Sequence, residues 1–182
     1  MKESEVILKR QSTRLFFKNG DTDFFFNWLL GIGEVFGFSH GELYYLAQRL
    51  GKSPKPSTWK KVFLSHADYL AQKLSNPDLS KQSKAQYYLA QTYSIRSAIQ
   101  FINPFSEEYL PTVQRMEESF KKATYSLKAP IEELTIHYQE SYLPGYYLHS
   151  GDDCPTLIMI GGGDTYREDL FYFAGYPGWK RG

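Results

Sequence analysis

The sequence predicts a helical bundle that gives way to the opening strands of an α/β sheet. Three observations carry this. Residues 24–127 repeat apolar side chains at helical spacing, with few β-branched clusters. Past Pro130 the pattern changes to alternation, with Leu134, Ile136 and Tyr138 set against Thr135 and His137. A continuous apolar run at 156–160 then enters three consecutive glycines, Gly161, Gly162 and Gly163. The change of texture divides the chain into 1–129, a helical region, and 130–182, a sheet portion.

The elements follow in order. Residues 24–36 form a first helix that buries Phe25, Trp28, Leu29 and Ile32. His40–Leu50 is the second, stopped by Gly51 as a C-cap. After the Pro54 and Pro56 turn, Trp59, Val62, Phe63, His66, Tyr69, Leu70 and Leu74 recur at helical spacing. Asn76-Pro77 breaks that pattern. Residues 80–102 form a long helix with Tyr88, Ile95, Ile99 and Ile102 on or near one face. Asn103-Pro104 breaks it again, and 106–127 supplies the last helix, its first turn carrying Glu107 and Glu108. The pairs Tyr44-Tyr45 and Tyr87-Tyr88 are expected to pack helices together. In the sheet portion, 134–138 and 143–149 are strands with a turn at Glu140-Ser141, and Pro144-Gly145 marks a bulge or an edge. The run at 156–160 has the composition of a strand covered on both faces.

Composition narrows the function classes. With 182 residues the chain holds one large or two small domains. The 21 basic and 20 acidic residues are well mixed, so no basic stripe speaks for nucleic acid. Cys154 is the single cysteine, which excludes an intrachain disulfide and fits a reducing compartment. The start, Met-Lys-Glu-Ser-Glu, lacks a signal-peptide layout. The most apolar window, 24–38, is interrupted by Asn27 and Glu34 and is shorter than the roughly 20 residues that span a bilayer. A soluble, cytoplasmic protein with neither cofactor nor metal is expected.

The chemistry gathers at the glycines. Gly161-Gly162-Gly163 followed by Asp164 permits backbone conformations that residues with a β-carbon resist. Thr165 and Glu168 have capping-box spacing and start a helix there. Strand, bare turn and helix start make a donor-rich pocket for an anion or an oxyanion; the plain alternative is a βα turn that holds nothing. A dinucleotide fingerprint is not met, since Arg167 and Glu168 occupy the helix start.

Upstream, Gly37-Phe-Ser-His-Gly41 matches the Gly-x-Ser-x-Gly pattern of a nucleophile elbow. The residues before it are helical, not a buried strand. Ser39 as N-cap with Glu42 at N3 is a capping box, and Phe38 and Leu43 fall at the staple positions. That assigns Ser39 to capping. Of the histidines, His40 is expected at the surface of a first turn, His66 inside a helix, and His137 and His149 on the strands. No two have zinc-ligand spacing. Cys154, in a loop without an activating neighbour, is expected to be inert.

The order of parts supports a resemblance: a helical region, Leu143-Pro-Gly-Tyr146, an apolar strand, Gly-Gly-Gly-Asp164 and Arg-Glu-Asp169. It resembles the N-terminal part of α/β-hydrolases of the acylaminoacyl-peptidase-like or dipeptidyl-aminopeptidase-like group. The fermentation-respiration-switch-protein-like esterases and 2,6-dihydroxypseudooxynicotine hydrolase look like relatives of that group. Trp28 with Gly31-x-Gly33-Glu34 is similar to their helical segment as well.

The resemblance implies that the helices form a cap over an active site and that the glycine turn is an oxyanion loop. Gly162, Gly163 and Asp164 are its backbone-donor candidates. It implies serine-dependent acyl hydrolysis of a small-molecule ester or a peptide-like substrate. The nucleophile elbow, acid and histidine would all follow the turn, and none occurs in this chain, so the chain alone is expected to be inactive. The apolar edge left at 156–160 predicts poor folding of this portion, completion by other residues, or self-association. A helical protein-interaction module or a gene remnant is the competing expectation. The hydrolase reading requires the helices to pack over the glycine turn; the module requires an open apolar groove.

Overall fold

A computed structural model describes residues 14–129 and 131–179. Five helices come first: α1 (Gly20–Ile32), α2 (His40–Leu50), α3 (Pro56–Leu74), α4 (Lys81–Ile99) and α5 (Tyr109–Leu127). A hairpin of β1 (Ile131–Tyr138) and β2 (Ser141–Leu148) follows, and a short helix α6 (Arg167–Leu170) runs through a π turn (Phe171–Gly175) into α7 (Tyr176–Trp179). The architecture is thus a helical bundle followed by a small piece of sheet.

The helix starts are set by side-chain caps. Asn19 Oδ1 accepts the N–H groups of Asp21 at 3.0 Å and Thr22 at 3.1 Å, so α1 begins ahead of its apolar pattern. Its buried apolar residues are Phe26 and Leu29, while Phe25, Trp28 and Ile32 are half-buried. Asp23, buried on α1, accepts the N–H groups of Leu15, Phe16 and Phe17 and the Asn27 amide, which ties the preceding segment down. Burial raises the Asp23 pKa, and those donors more than offset it, leaving the carboxyl below its ordinary value.

At α2 the capping box forms as expected. Ser39 Oγ accepts from the Glu42 N–H at 3.1 Å, and Glu42 Oε2 accepts from the Ser39 N–H at 2.8 Å. Gly37 sits at φ +82°, and a Cβ there would run into the Gln86 carbonyl oxygen of α4. Capping and close backbone approach therefore account for the Gly-x-Ser-x-Gly match. Gly51 closes α2 at φ +71°.

The long fourth helix departs from the one-faced expectation. Every residue from 89 to 99 is buried, because α3 and α5 pack against α4 from opposite sides. Its polar residues satisfy themselves: Thr92, Ser94 and Ser97 donate to carbonyls four residues back, and Gln91 donates to the Ala67 carbonyl. Trp59 of α3 donates from Nε1 to the Ser97 carbonyl at 2.8 Å, within a ring cluster that includes Phe17, Phe26, Phe63 and Phe101. Tyr44 and Tyr45, by contrast, are more than half exposed and do not pack helices. Lys128, in the left-handed region at φ +56°, turns the chain out of α5.

β1 and β2 pair antiparallel without interruption from Ile131↔Leu148 to Tyr138↔Ser141. The turn is at 139–140, one residue earlier than expected. Pro144 and Gly145 sit in continuous register, so there is no bulge; a two-stranded ribbon has only edges, and an edge tolerates proline. The run at 156–160 is not a strand. Leu157, Ile158 and Ile160 are 72%, 80% and 89% exposed. A buried parallel strand exists only between neighbours that accept its hydrogen bonds and cover its faces, and the described residues supply none. Among the described residues, no helix is long and apolar enough to cross a membrane.

One contact between helices gives the fold an acid-sensitive point. Glu42 is lowered from 4.5 to about 2, first by His66, whose Nε2 lies 3.8 Å from Oε1, then by the Ser39 donors, with burial opposing. A depressed carboxylate stabilises the fold in full above its unfolded value and loses that contribution as pH falls through the folded one. Acid unfolding of the wild type is expected to show a stability loss between pH 4.5 and about 2 that Glu42→Gln lacks. Parallel stability-versus-pH curves for the two proteins would contradict it.

Candidate functional site, a glycine turn seated on a buried polar layer

Gly161, Gly162, Gly163 and Asp164 form an exposed turn, closed where the Thr165 N–H donates to the Gly162 carbonyl at 3.0 Å. None of the three turn glycines has a positive φ. The expected conformational reason for glycine is therefore not the operative one. At Gly161 the reason is space, since a Cβ would lie 2.8 Å from the Thr165 side chain. A Cβ at Gly162 would meet only Thr165 Oγ1, at 3.9 Å, and one at Gly163 would meet nothing within 4 Å. Neither packing nor φ demands glycine at 162 or 163. What both leave is bare backbone facing open space. Among the described residues, the N–H groups of Gly162, Gly163 and Asp164 have no hydrogen-bond partner.

The helix after the turn starts at Arg167, later than the expected Thr165–Glu168 box allows. Asp169 does the capping: its Oδ2 accepts the Tyr166 N–H at 3.0 Å. Glu168 is instead drawn inward, 1% exposed, where its Oε1 accepts from the Tyr146 hydroxyl at 2.7 Å and from Arg167 Nε at 3.0 Å. Hydrogen bonding to buried partners outweighs an exposed cap.

Beneath the turn lies α4. Arg96, 5% exposed, donates from Nη2 to the Asp164 carbonyl at 2.6 Å and from Nε to Asp169 Oδ2 at 3.1 Å. Its Nη1 reaches Gln100 Oε1 at 2.8 Å, and the guanidinium lies over the Tyr166 ring at 4.7 Å and the Trp28 ring at 5.7 Å. Tyr93 of α4 donates to the Glu168 carbonyl, and its burial pushes its pKa well up, so it stays a neutral donor. From α5, Tyr109 meets the Tyr166 hydroxyl at 2.7 Å, and Glu117 accepts from Arg167 at 2.6 Å. Asp169 Oδ1 is buried without a partner among the described residues, and burial raises the pKa of this carboxyl despite Arg96 and the Tyr166 N–H. The bundle thus packs against the glycine turn and its following helix through polar contacts.

The remaining sequence candidates do not converge here. His40 is exposed beside Glu34, His137 contacts Tyr142 across the hairpin, and His149 lies just beyond β2, facing Asp152 at 3.2 Å. Cys154 is half-buried near Gly151. His66 does line up with a serine and a carboxylate: Nδ1 is 2.8 Å from Ser94 Oγ, and Nε2 faces Glu42. Ser94 is fully buried and already donates to the Ala90 carbonyl, so its Oγ can meet no substrate. That trio clamps α2, α3 and α4. The residues the sequence reading missed are Arg96 and Asp169 as a pair; the available signal was a lone arginine between Ile95 and Ile99.

No protein-family model matches the chain. Curated relatives do. The chain is 29% identical over 141 residues to hydrolyase ccsE of Aspergillus clavatus, covering 66% of this chain and 32% of that protein. It is 27% identical over 154 residues to hydrolase phmG of Phaeosphaeria nodorum, covering 71% and 35%. With the α/β hydrolase psoB of Aspergillus fumigatus it shares 28% over 171 residues, covering 86% and 38%. The chain spans about a third of the length of these relatives. Their names support the α/β-hydrolase superfamily and a hydrolase-like function.

Proposed function

We propose that this chain forms the cap and the oxyanion-side loop of a serine α/β-hydrolase in the acylaminoacyl-peptidase-like or fermentation-respiration-switch-protein-like esterase group. Residues 1–129 are the cap and 130–182 the start of the catalytic sheet. In the whole enzyme a serine attacks an ester or amide carbonyl of a small-molecule or peptide-like substrate. The tetrahedral oxyanion is received by backbone N–H groups among Gly162, Gly163 and Asp164 and collapses to an acyl-serine as the protonated alcohol or amine leaves; water then attacks the acyl-serine, releasing the acid and restoring the serine hydroxyl. The serine, acid and histidine stand on further strands outside these 182 residues.

One observation carries the reading: unpartnered N–H groups on an exposed glycine turn held against a helical bundle. Donors fixed before the reaction begins need no reorganisation as charge develops, which is where oxyanion holes gain their effect. The test is to express the protein as its gene encodes it beside the 182-residue chain, then apply a fluorophosphonate probe and p-nitrophenyl esters. Labelling and turnover are expected in the gene product alone. A gene product that does neither, or a 182-residue chain that does both, overturns the proposal.

A further inference from the structure

We propose that Arg96 is a positioning residue that holds the glycine turn in its donor-presenting shape from the helical bundle. The inference rests on the hydrolase reading for its consequence in catalysis, and on the geometry of α4 for the holding itself. Arg96 is buried in the stretch of α4, residues 89–99, that is covered on all sides, which holds its Cα against α3 and α5. Its fork reaches one backbone atom of the turn, the Asp164 carbonyl, and one side chain of the following helix, Asp169. These two contacts fix both ends of residues 164–169. The Asp164 carbonyl bond restrains the peptide directly after the last candidate donor, and the Thr165 N–H bond to Gly162 transmits that restraint back across the turn. Other contacts of the bundle reach Tyr166, Arg167 and Glu168, beyond the turn. Among the described residues, Arg96 is the one side chain that bonds the backbone of residues 161–164.

The guanidinium is suited to this task in a way an ammonium is not. It presents planar, divergent donors to Asp164, Asp169 and Gln100 at once, while its faces rest on Tyr166 and Trp28. A lysine keeps the charge beside Asp169 but cannot span the three acceptors.

Arg96→Lys in the full gene product is the test, read by amide hydrogen exchange and by ester kinetics. Exchange at Thr165, whose N–H closes the turn, is expected to rise about tenfold while α3, α4 and α5 amides keep their protection. kcat is expected to fall about tenfold or more with KM within about twofold, because a displaced donor costs transition-state stabilisation and not ground-state binding. Unchanged exchange at the turn overturns the proposal, as does a parallel rise in turn and bundle exchange, which marks general loosening. If Arg96→Lys does not fold, the double variant Arg96→Met with Asp169→Leu removes both buried charges together and is read at Thr165 alone, because losing Asp169 frees the Tyr166 N–H by itself. If the wild-type gene product neither labels nor turns over ester, the hydrolase reading falls, and the exchange result alone decides whether Arg96 holds the turn.

Discussion

Gly163→Pro is expected to lower kcat of the gene product about 10²- to 10³-fold, the usual cost of one lost oxyanion donor. Proline deletes the N–H, and it also fixes φ at about −65° and restricts Gly162. The residue is exposed, its N–H has no partner among the described residues, and its surroundings leave space for added atoms. Stability is expected to change by less than about 0.5 kcal/mol, as for surface substitutions away from special contacts. Gly163→Ala is the comparison, since it adds a Cβ but keeps the donor. A proline variant with wild-type kcat would remove Gly163 from the oxyanion set. An alanine variant as damaged as the proline would assign the loss to crowding.

Trp59→Ala is expected to cost about 3–5 kcal/mol of unfolding free energy, a large share of what a domain of this size possesses. Trp59 is 2% exposed, with ring centroids of Phe63 at 4.9 Å, Phe101 at 5.2 Å and Phe17 at 6.0 Å. Truncation opens a cavity among side chains that come from four separate segments, and it strips the Ser97 carbonyl of its indole donor. Chemical denaturation measures it directly. A loss below about 2 kcal/mol would show that the surrounding rings collapse into the space.

The helices were legible because capping and periodicity point the same way there. His40–Leu50 is the clearest instance: Ser39, Glu42 and Gly51 mark both ends in the sequence, and the structure has the same bounds. α4 was harder, because from residue 89 to 99 the helix is buried on all sides and its Ser, Thr and Gln residues there bond to carbonyls instead of marking a solvent face. The alternating strands 134–138 and 143–149 were found within a few residues, since the hairpin's contacts are local. The run at 156–160 has strand composition without strand partners; pairing is a property of neighbours, and composition cannot provide them. At the site, the glycine turn stood out as residues, but its seat did not. Arg96 and Asp164 are far apart in sequence, and no local pattern links a helix arginine to a loop carbonyl.

On the proposed cap reading, the enclosure of α4 over residues 89–99 limits how a substrate gains entry past the helices. A helix with a free side can slide or tilt alone; one covered on all sides cannot move without unpacking Trp59, Tyr93 and Phe120 together. Opening would therefore carry α3, α4 and α5 as one plate. Because Arg96 rides on that plate with its grip on Asp164, swinging it outward would draw on the glycine turn at the same moment. Admission of substrate and readiness of the donors would then be mechanically opposed, with the turn restored only as the plate shuts.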